Sequence, residues 1–472
     1  MWDFERFADH TALIGEDGEE TTYGRLGAAG AELAAAVGGR RLIFVFCANE
    51  KGALLGYTAF LRHGAVPVML DAGLDRDYTA ALLARYRPDF LWVPVDRAAA
   101  FAGEPTYSAW GYALVRTGES GAFPLHRELA LLLTTSGSTG SPKFVRQSYK
   151  NIRANTESIV RYLELDMAER AITTLPLHYT YGLSIINTHL SVGAAVILTG
   201  KTLAQKEFWR QCREYGATSL AGVPYTYEML EKLRFERMDL PTLRTLTQAG
   251  GKLPPELHRK FAAAARAAHR RFFVMYGQTE ATARMSWLPP ERSLEKCGSI
   301  GGPVAGGEFF LLDGDGGAIT EPGAVGELMY RGDNVALGYA ESGADLAGGD
   351  DFGGVLATGD MAKFDRDGCY YIVGRKKRFL KIFGNRVSLD EAEQLVQAAF
   401  GTDCACTGQD DHMLVYVLAG ADGPAVRKFL AEKTGLPPAA FAVQTIGAIP
   451  KNEAGKTMYA ALATGGAAEA RC

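Results

Sequence analysis

The sequence lacks the features that direct a chain into a membrane or out of the cell. No stretch reaches the roughly 18 consecutive apolar residues of a membrane helix. The first ten residues, MWDFERFADH, contain acidic residues without an apolar core, whereas a secretory signal peptide needs one. The net charge is only −4 over 472 residues, which gives no reason to expect a nucleic-acid or membrane-surface partner. We therefore expect a protein of the cytoplasm.

Cysteines are few and scattered. There are seven, an odd number, and only Cys404 and Cys406 lie close together. Their spacing puts both side chains on one face of a strand, where we interpret them as small core residues. A metal site would need more ligands nearby than Asp411 and His412. The pattern favours reduced thiols.

Internal repeats of fixed period are absent as well, which excludes a repeat architecture. Hydrophobic residues make up 47% and charged residues 22% of the chain, as is typical of a globular protein. A chain of this length is too long for one ordinary core, so it predicts two or three domains.

The pattern of the first 275 residues predicts an α/β fold. Between about 20 and 130, and again between 150 and 275, short apolar segments such as RLIFVFCA and VPVML alternate with helical patterns. Such strands are typical of parallel sheets covered on both faces. We therefore expect two stacked α/β sheets in a large N-terminal domain.

The sequence pattern changes after residue 300. Short strands separated by Asp-Gly turns indicate a smaller, antiparallel, β-rich subdomain. The segment DGDGG at 313–317 lacks the spacing and terminal Glu of a calcium loop, so we interpret it as a turn. The basic segment RKKRFLKIFGNR then precedes a mixture of helices and strands. We place a domain boundary near residue 375, between an N-terminal domain of residues 1–374 and a small α+β domain of residues 375–472.

The segment LLLTTSGSTGSPK, from Leu131 to Lys143, is an apolar strand that ends in a loop of hydroxyl and glycine residues. Glycines let the backbone N–H groups approach an anion, and hydroxyls and a lysine add donors and charge. The segment therefore predicts a phosphate-binding loop, the alternative being an ordinary surface turn. Its candidate donors are Thr134, Thr135, Ser136, Gly137, Ser138, Thr139, Gly140 and Lys143.

This loop is not a Walker P-loop. In that motif the lysine directly follows the second glycine, whereas here Ser141 and Pro142 intervene. The Walker spacing also fails at Gly455-Lys456-Thr457, because Pro450 stands where the first glycine should be.

Four further segments narrow the chemistry. The segment Tyr276-Gly277-Gln278-Thr279-Glu280 follows a strand, at the edge where α/β sheets bind ligands, and offers an aromatic ring and a carboxylate able to hold Mg²⁺. Thr358-Gly359-Asp360 is expected to place a carboxylate in a tight turn, suited to two sugar hydroxyls. Gly374-Arg375 lies at the proposed boundary, and the segment PKNEAGK at 450–456 supplies lysines. Each segment alone is a weak signal, but all of them in this order form a specific pattern.

With these motifs the chain resembles the adenylate-forming superfamily of acyl- and aryl-CoA synthetases, adenylation domains and luciferases. The resemblance extends from about residue 25 to Lys456. It implies a large N-terminal domain, a small mobile C-terminal domain and an active site between them. It also implies the reaction of a carboxylate with ATP to give acyl-AMP and pyrophosphate, followed by attack of a thiol.

The resemblance assigns a role to each motif. The loop from Thr134 to Lys143 would hold the β- and γ-phosphates, and Gly250, Gly251 and Tyr276 would contact the adenine. Thr279 would bind the α-phosphate and Glu280 the Mg²⁺ ion. Asp360, supported by Arg375, would accept the ribose hydroxyls. Lys456 would bridge the carboxylate and the α-phosphate in the transition state; its alternative is a solvated lysine, and that of Glu280 is an ordinary helix-start carboxylate.

The resemblance also implies a hinge at Lys377 and a pantetheine tunnel lined by Gly384. The chain departs from the common pattern there, with Asn385 at a usually aromatic place and Ser388 at a usual Glu. Lys376, Arg378 and Lys381 form either a solvated basic face or a contact for the phosphates of CoA or for an acidic carrier protein.

The acid pocket is expected to involve the segments PLHYTYGLS, AGVPYTY, QAGGK and YGQTE. Thr180 stands where family members that activate amino acids usually carry an Asp, and burying an unpaired ammonium group is costly. A plain carboxylic acid is therefore favoured. Tyr179, Tyr181, Tyr225 and Tyr227 either contact an aryl or short-to-medium acyl group or pack in the core with their hydroxyls bonded. The pocket candidates are His178, Tyr179, Thr180, Tyr181, Gly222 and Tyr225.

Three hypotheses follow. The leading one is an acid–thiol ligase that uses ATP and Mg²⁺ and delivers its acyl group to CoA or to the phosphopantetheine of a carrier protein acting in trans. The second is an enzyme that activates an amino acid and loads a carrier protein. The third is a non-catalytic nucleotide-binding regulator, against which the presence of Glu280, Asp360, Arg375 and Lys456 argues.

Overall fold

The structure is a computed structural model that describes residues 2–118, 121–134, 143–383, 385–451 and 457–464. The side chains of residues 377, 379, 381, 385, 386, 460, 463 and 464 are not described. The chain divides into two compact units. The first consists of Met1–Glu308 and Tyr330–Leu356, and the second of Phe309–Met329 and Ala357–Cys472. The boundary near residue 375 stays a prediction.

The helices are α1 (Tyr23–Val37), α2 (Lys51–Arg62), α3 (Arg76–Tyr86), α4 (Val95–Ala98), α5 (Tyr149–Leu163), α6 (Thr180–Ser191), α7 (Lys206–Glu214), α8 (Pro224–Lys232), α9 (Pro255–Ala267), α10 (Leu389–Phe400), α11 (Gly423–Thr434) and α12 (Tyr459–Thr464). No helix in the described ranges has the length and apolar character needed to cross a membrane.

The strands are β1 (Thr11–Ile14), β2 (Glu20–Thr22), β3 (Leu42–Cys47), β4 (Val66–Asp71), β5 (Phe90–Pro94), β6 (Pro105–Ala109), β7 (Tyr112–Arg116), β8 (Leu129–Thr134), β9 (Phe144–Ser148), β10 (Arg170–Ile172), β11 (Ala195–Ile197), β12 (Ser219–Gly222), β13 (Thr245–Gln248), β14 (Arg271–Tyr276), β15 (Ser286–Leu288), β16 (Gly302–Pro303), β17 (Gly307–Leu312), β18 (Ala318–Ile319), β19 (Gly326–Gly332), β20 (Gly338–Ala340), β21 (Val355–Phe364), β22 (Tyr370–Arg375), β23 (Phe379–Ile382), β24 (Asn385–Ser388), β25 (Cys404–Gln409), β26 (His412–Leu418) and β27 (Phe441–Ile446).

The first unit contains an eight-stranded sheet of order β20-β9-β8-β4-β3-β5-β7-β6. Its centre is parallel: β3 pairs with β4 and β5, and β4 pairs with β8. All six residues of β3 are buried, which explains its continuous apolar run. The outer strands β7, β9 and β20 pair antiparallel with their neighbours. The sheet is therefore mixed, whereas the sequence predicted only its parallel part.

A nine-stranded sheet, also in the first unit, has the order β16-β15-β14-β13-β12-β10-β11-β1-β2. The strands β10 to β14 pair in parallel, and β15, β16 and β2 are antiparallel additions at the two edges. The carboxyl ends of β12, β13 and β14 thus lie side by side at one edge. Parallel sheets commonly bind ligands at this edge. The prediction of two α/β sheets is confirmed.

The second unit holds most residues of a five-stranded sheet of order β18-β17-β19-β21-β22. The pairs β17–β18 and β21–β22 are antiparallel hairpins, as the Asp-Gly turns predicted. The sheet β25-β26-β27 packs with α10 and α11 around buried residues such as Val415, Val426 and Leu430. Cys406 belongs to this core, which confirms its interpretation as a small core residue.

Candidate active site

The phosphate-loop candidate begins and ends on neighbouring strands. Thr134, the last residue of β8, pairs with Phe144, the first residue of β9, and Lys143 directly precedes β9. The two ends of the loop are therefore held side by side by the sheet. Six of its candidate donors lie outside the described residues: Thr135, Ser136, Gly137, Ser138, Thr139 and Gly140.

Tyr339 joins the phosphate loop to the candidate metal ligand. The Lys143 ammonium lies 3.8 Å from the centroid of the Tyr339 ring, and the Tyr339 hydroxyl donates a 2.7 Å hydrogen bond to Oε1 of Glu280. Burial and the nearby carboxylate raise the pKa of Tyr339 well above its ordinary value, so the hydroxyl keeps its proton. The structure thus brings Lys143 and Glu280 to opposite sides of one side chain. Sequence reasoning missed Tyr339, which no motif marks.

The turn that carries Thr279 and Glu280 is anchored from two sides. The Gln147 side chain on β9 donates a 3.0 Å hydrogen bond to the carbonyl of Thr279, and the carbonyl of Glu280 accepts one of 2.8 Å from the Ala336 amide. Thr279 is 7% exposed and starts a short 3-10 turn, Thr279–Ala281. The two residues are therefore preorganised, with the Glu280 carboxylate directed at Tyr339.

Glycine is required just before this turn. Tyr276 is the last residue of β14, and a Cβ added at Gly277 would lie 1.6 Å from the Ala283 carbonyl oxygen. The chain therefore crosses itself closely between Tyr276 and the turn. This close crossing positions the aromatic ring and the carboxylate at the same end of β14.

The glycine pair after β13 approaches the acid-pocket segments. Gly250 has φ +84°, and a Cβ there would lie 2.6 Å from the Tyr179 hydroxyl. The Gln248 side chain donates a 2.9 Å hydrogen bond to the carbonyl of Gly251. A side chain at Gly250 would therefore cost backbone strain and a steric clash. The structure brings Gly250 and Tyr179 together, as predicted for two walls of one site.

The pocket candidates surround the start of α6. His178 and Tyr179 directly precede this helix, which begins at Thr180 and has no acidic residue in its first turn. Tyr181 lies in the same turn, with its ring 6.4 Å from that of Tyr179. Burial raises the pKa of Tyr179 to about 12. The carboxylate expected of an amino-acid activator is therefore missing from this turn.

The four tyrosines divide between the two alternatives. Tyr181 and Tyr227 are buried, and their hydroxyls bond the side chain and the carbonyl of Thr247 at 2.8 and 2.9 Å. Tyr227 is thus a core residue with a satisfied hydroxyl. Tyr225 is 46% exposed on α8, so its contact with an acid stays a prediction. Gly222, the last residue of β12, has the Thr226 side chain 2.6 Å from the position of a Cβ.

The ribose candidates pair in the second unit. Asp360 on β21 is opposite Arg375 on β22, and the Arg375 Nε lies 2.7 Å from the Asp360 Oδ1. Asp360 is 2% exposed. The expected tight turn is wrong: the segment from Thr358 to Asp360 lies inside the ten-residue strand β21, in which Gly359 has φ +69°. One positive-φ glycine redirects the strand without ending it.

Three candidates of the C-terminal region cannot be placed. Gly384 and Lys456 lie outside the described residues, as does the side chain of Lys377. Ser388 accepts a 3.2 Å hydrogen bond from the Glu391 amide and directly precedes α10. Ser388 is therefore a helix cap, which gives a structural reason for serine at that position.

Arg378 is not part of a solvated basic face. Its guanidinium bonds Asp390 at 2.5 Å and Glu393 at 2.6 Å and lies 3.6 Å from the centroid of the Tyr459 ring. Lys376 pairs with Glu327 at 2.5 Å. Both residues are thus committed to ion pairs within the second unit, and Arg378 ties the residues after β22 to α10.

Glu280 can serve as a magnesium ligand without further protein carboxylates. In the described ranges no three His, Cys, Asp or Glu side chains cluster as a metal site. Mg²⁺ in nucleotide enzymes, however, is usually held by one or two carboxylates together with substrate phosphates. Glu280, whose Oε1 accepts from the Tyr339 hydroxyl and whose other oxygen is left for a ligand, can supply one such carboxylate.

The chain was compared with known proteins. The sequence pattern described as AMP-binding enzyme matches residues 2–340. The chain is 32% identical over 272 residues to an oxalate–CoA ligase of Arabidopsis thaliana, which covers 57% of this chain and 52% of that protein. It is also 32% identical over 275 residues to an indoleacetate–CoA ligase of Aromatoleum aromaticum, covering 56% and 51%. The chain therefore spans about half the length of these relatives.

A solved structure shares the whole fold. The o-succinylbenzoate CoA synthetase of Bacillus subtilis, in complex with its acyl-adenylate intermediate, superposes with a TM-score of 0.78. The match covers 97% of each chain at 22% sequence identity. The fold is thus that of a large N-terminal α/β domain followed by a small C-terminal domain, as predicted. Together with the match over residues 2–340, these features show that the chain belongs to the AMP-binding enzyme family.

Proposed function

We propose that the protein is an ATP-dependent acid–thiol ligase. It activates a carboxylic acid as acyl-AMP with release of pyrophosphate and then transfers the acyl group to a thiol. The observation that supports this most is the contact of Tyr339 with both Lys143, a candidate phosphate ligand, and Glu280, a candidate metal ligand. Two relatives are named as acid–CoA ligases, one for oxalate and one for indoleacetate, and these names support the reaction class.

The roles of the residues follow from their surroundings. Lys143 and the loop before it attract the pyrophosphate part of ATP. Mg²⁺, when bound to Glu280, neutralises phosphate charge, and Tyr339 holds the carboxylate in place. Thr279, fixed by Gln147, is positioned to bind the α-phosphate. The contacts of Asp360 and Arg375 with the ribose, and the role of Lys456, stay predictions.

The acid is proposed to be a plain carboxylic acid. The first turn of α6 contains no acidic residue that could pair with an ammonium group. The acids for which the two relatives are named differ in their number of carboxylates: oxalate has two, and indoleacetate has one. Their names therefore leave the rest of the acid open.

The acceptor is proposed to be CoA, with a carrier-protein phosphopantetheine as the second candidate. Both present the same thiol arm, so the residues of a tunnel would not distinguish them. The location in the cytoplasm also stays a proposal.

Exchange of labelled pyrophosphate into ATP tests the first half-reaction. We expect exchange that depends on a carboxylic acid and on Mg²⁺, with no exchange for α-amino acids. Lys456→Ala should lower exchange about 10²–10³-fold, because a donor placed where charge develops contributes about 3–4 kcal/mol. Lys428→Ala, in an exposed pair with Glu432, is the matched control.

The outcomes separate the hypotheses. Exchange with amino acids alone would favour a carrier-loading enzyme, and no exchange with any acid would favour a regulator. Equal losses in exchange and in thioester formation from supplied acyl-AMP would contradict the assignment of Lys456 to adenylation. Incubation with CoA and with a phosphopantetheinylated carrier, followed by mass spectrometry, identifies the acceptor.

A further inference from the structure

Arg284 is a buried cation that lacks a carboxylate partner. It is 2% exposed in the loop between β14 and β15. Its Nη1 donates to the Tyr162 hydroxyl at 3.0 Å and lies 3.3 Å from the Met275 sulfur, and its guanidinium lies 4.9 Å from the centroid of the Tyr181 ring. Within the described ranges, none of the contacts of Arg284 is to an Asp or Glu side chain.

The Nε of Arg284 is also without a hydrogen-bond partner among the described residues. Transferring an unpaired charge from water into a protein interior is strongly unfavourable. Neutral contacts with a hydroxyl, a thioether and an aromatic ring offset only part of that cost. A buried arginine in this state is well suited to an anion that binds beside it.

A small cavity lies next to the guanidinium. It has a free volume of about 20 Å³ and is lined by Ile185, His189, Ala221, Thr245, Thr247 and Arg284 among others. About 10–15 Å³ of such volume is the minimum for one water molecule. The cavity therefore has room for one or two oxygen atoms of a small polar group, next to the Arg284 guanidinium.

A second polar atom in this cavity lacks a partner. His189 is 3% exposed, its Nδ1 bonds the Ile185 carbonyl at 2.8 Å, and its Nε2 has no partner among the described residues. A carbonyl can only accept, so Nδ1 carries the proton and Nε2 is a free acceptor. Burial, to which the charge of Arg284 adds, lowers the pKa of His189, so the imidazole is neutral without an anion beside it. An anion bound next to the ring opposes that shift and favours a second proton. His189 can then donate to the same anion as Arg284.

The cavity adjoins the elements of the candidate active site. Arg284 lies in the same loop as Thr279 and Glu280. Tyr181, whose ring contacts the Arg284 guanidinium, belongs to the first turn of α6, and its hydroxyl bonds Thr247, which lines the cavity. Through Tyr181 and Thr247 the cavity is thus linked to the first turn of α6, where the acid-pocket candidates lie.

We propose that Arg284, assisted by His189, binds a second carboxylate of the acid substrate. The inference rests on the proposed function and sharpens it: the preferred substrates are dicarboxylic acids, with one carboxylate adenylated and the other held in this cavity. Arg284 is then a residue that determines specificity. The preference for a dicarboxylate over a monocarboxylate of the same length comes mainly from the charge of Arg284. The hydrophobic lining on the other sides of the cavity contributes less to it.

Matched pairs of acids test the proposal. Pyrophosphate exchange is measured with succinate and butyrate, with glutarate and pentanoate, and with phthalate and benzoate. We expect the dicarboxylate of at least one pair to exceed its partner by about 10- to 100-fold in kcat/KM, because hydrogen bonds to charged groups in a buried site discriminate to this degree. Arg284→Met should abolish the preference mainly through KM, and Arg284→Lys should restore part of it.

Direct binding separates this inference from the proposed function. Calorimetric titration of the same acids, in the presence of a non-hydrolysable ATP analogue, reports binding even where no exchange occurs. Binding of a dicarboxylate that is lost in Arg284→Met but kept in Arg271→Met, at the ion pair with Glu164, supports the cavity whether or not exchange is seen. Equal use and equal binding of both members of every pair, unchanged by Arg284→Met, would show that the cavity holds only an ordered water and would overturn the proposal.

Discussion

Arg146 and Arg284 are both buried in the first unit, at 1% and 2% exposure, yet their surroundings differ. Arg146 donates to the carbonyls of Leu337, Tyr339 and Gly348 at 3.4, 3.0 and 2.6 Å and pairs with the carboxylate of Asp351. Arg284 has one hydroxyl, one sulfur and one aromatic ring. The first arginine is satisfied by its own chain, whereas the Nε of the second has no partner among the described residues.

Two buried histidines repeat this contrast. His258 accepts a 3.1 Å hydrogen bond from the Gly298 amide at Nδ1 and contacts the Ser293 hydroxyl through Nε2 at 2.9 Å. His189 uses only Nδ1. Buried polar groups that serve the fold are normally fully bonded. Arg284 and His189 each have a buried nitrogen without a partner among the described residues, and both line the same cavity, as the proposed binding site requires.

The largest effect on stability is expected at Arg146. Arg146→Met would remove one donor from the Leu337 carbonyl, which keeps the Asp351 amide, and the guanidinium donors from the Tyr339 and Gly348 carbonyls and the Asp351 carboxylate. Hydrogen bonds of a charged group contribute about 1.5–3 kcal/mol each. We expect the free energy of unfolding to fall by about 4 kcal/mol, measured by urea denaturation. Asp351→Asn is the control: Asp351 is 64% exposed, so its pairing contributes about 1 kcal/mol or less. A loss of similar size in both variants would mean that the ion pair, and not the carbonyls, holds Arg146.

His258, both of whose ring nitrogens are bonded, should make the free energy of unfolding depend on pH. Burial lowers the pKa of His258 from 6.5 to about 4, so the unfolded chain takes up its proton first as the pH falls. The contribution of His258 is complete above pH 6.5 and is lost between 6.5 and 4, by about 3 kcal/mol. Urea denaturation across this range should show a steeper decline for the wild type than for His258→Gln. Parallel pH profiles for the two proteins would contradict the shifted pKa.

The sequence predicted those parts of the fold that have a local signal. The buried strands β3 and β4 are continuous apolar runs, and Asp-Gly turns marked the hairpins of the second unit. Strand β9 was not predicted, because its buried residues include Arg146, Gln147 and Ser148. The partners that make this burial tolerable lie far along the chain: Tyr339 and Gly348 for Arg146, and Thr279 for Gln147. No local pattern contains that information.

The same limit applies to the site. Tyr276, Thr279 and Glu280 could be recognised because their motif is contiguous. Tyr339 contacts Glu280 across 59 residues, and Arg284 meets Tyr181 from a separate segment of the chain. The one sequence signal for Arg284 is an isolated arginine in the segment ATARMS, four residues after Glu280. Only the fold shows that this arginine lies beside a cavity.

Tyr339 connects the hydrogen bonds of Arg146 to the candidate metal ligand Glu280. Its carbonyl accepts from Arg146 and its hydroxyl donates to Glu280. Tyr339→Phe keeps the first contact and removes the second, so stability should change by less than about 1 kcal/mol. The Mg²⁺ concentration for half-maximal pyrophosphate exchange should rise about tenfold, since a hydrogen bond to a charged group contributes about 1.5 kcal/mol or more. An unchanged Mg²⁺ requirement would show that the hydroxyl does not position the carboxylate.

The smallest change in stability is expected at Arg284 itself. Arg284→Met removes the charge but keeps much of the side-chain volume, so the loss of two weak contacts is offset by the relief of burying an unpaired cation. The free energy of unfolding in the absence of acid should stay within about 1 kcal/mol of the wild type, and an increase would fit best. The measurement is the same urea denaturation as for Arg146→Met. A loss as large as the one at Arg146 would mean that the fold depends on this charge. A variant that is as stable as the wild type or more stable would show that the fold does not need Arg284, as expected of a residue that serves binding.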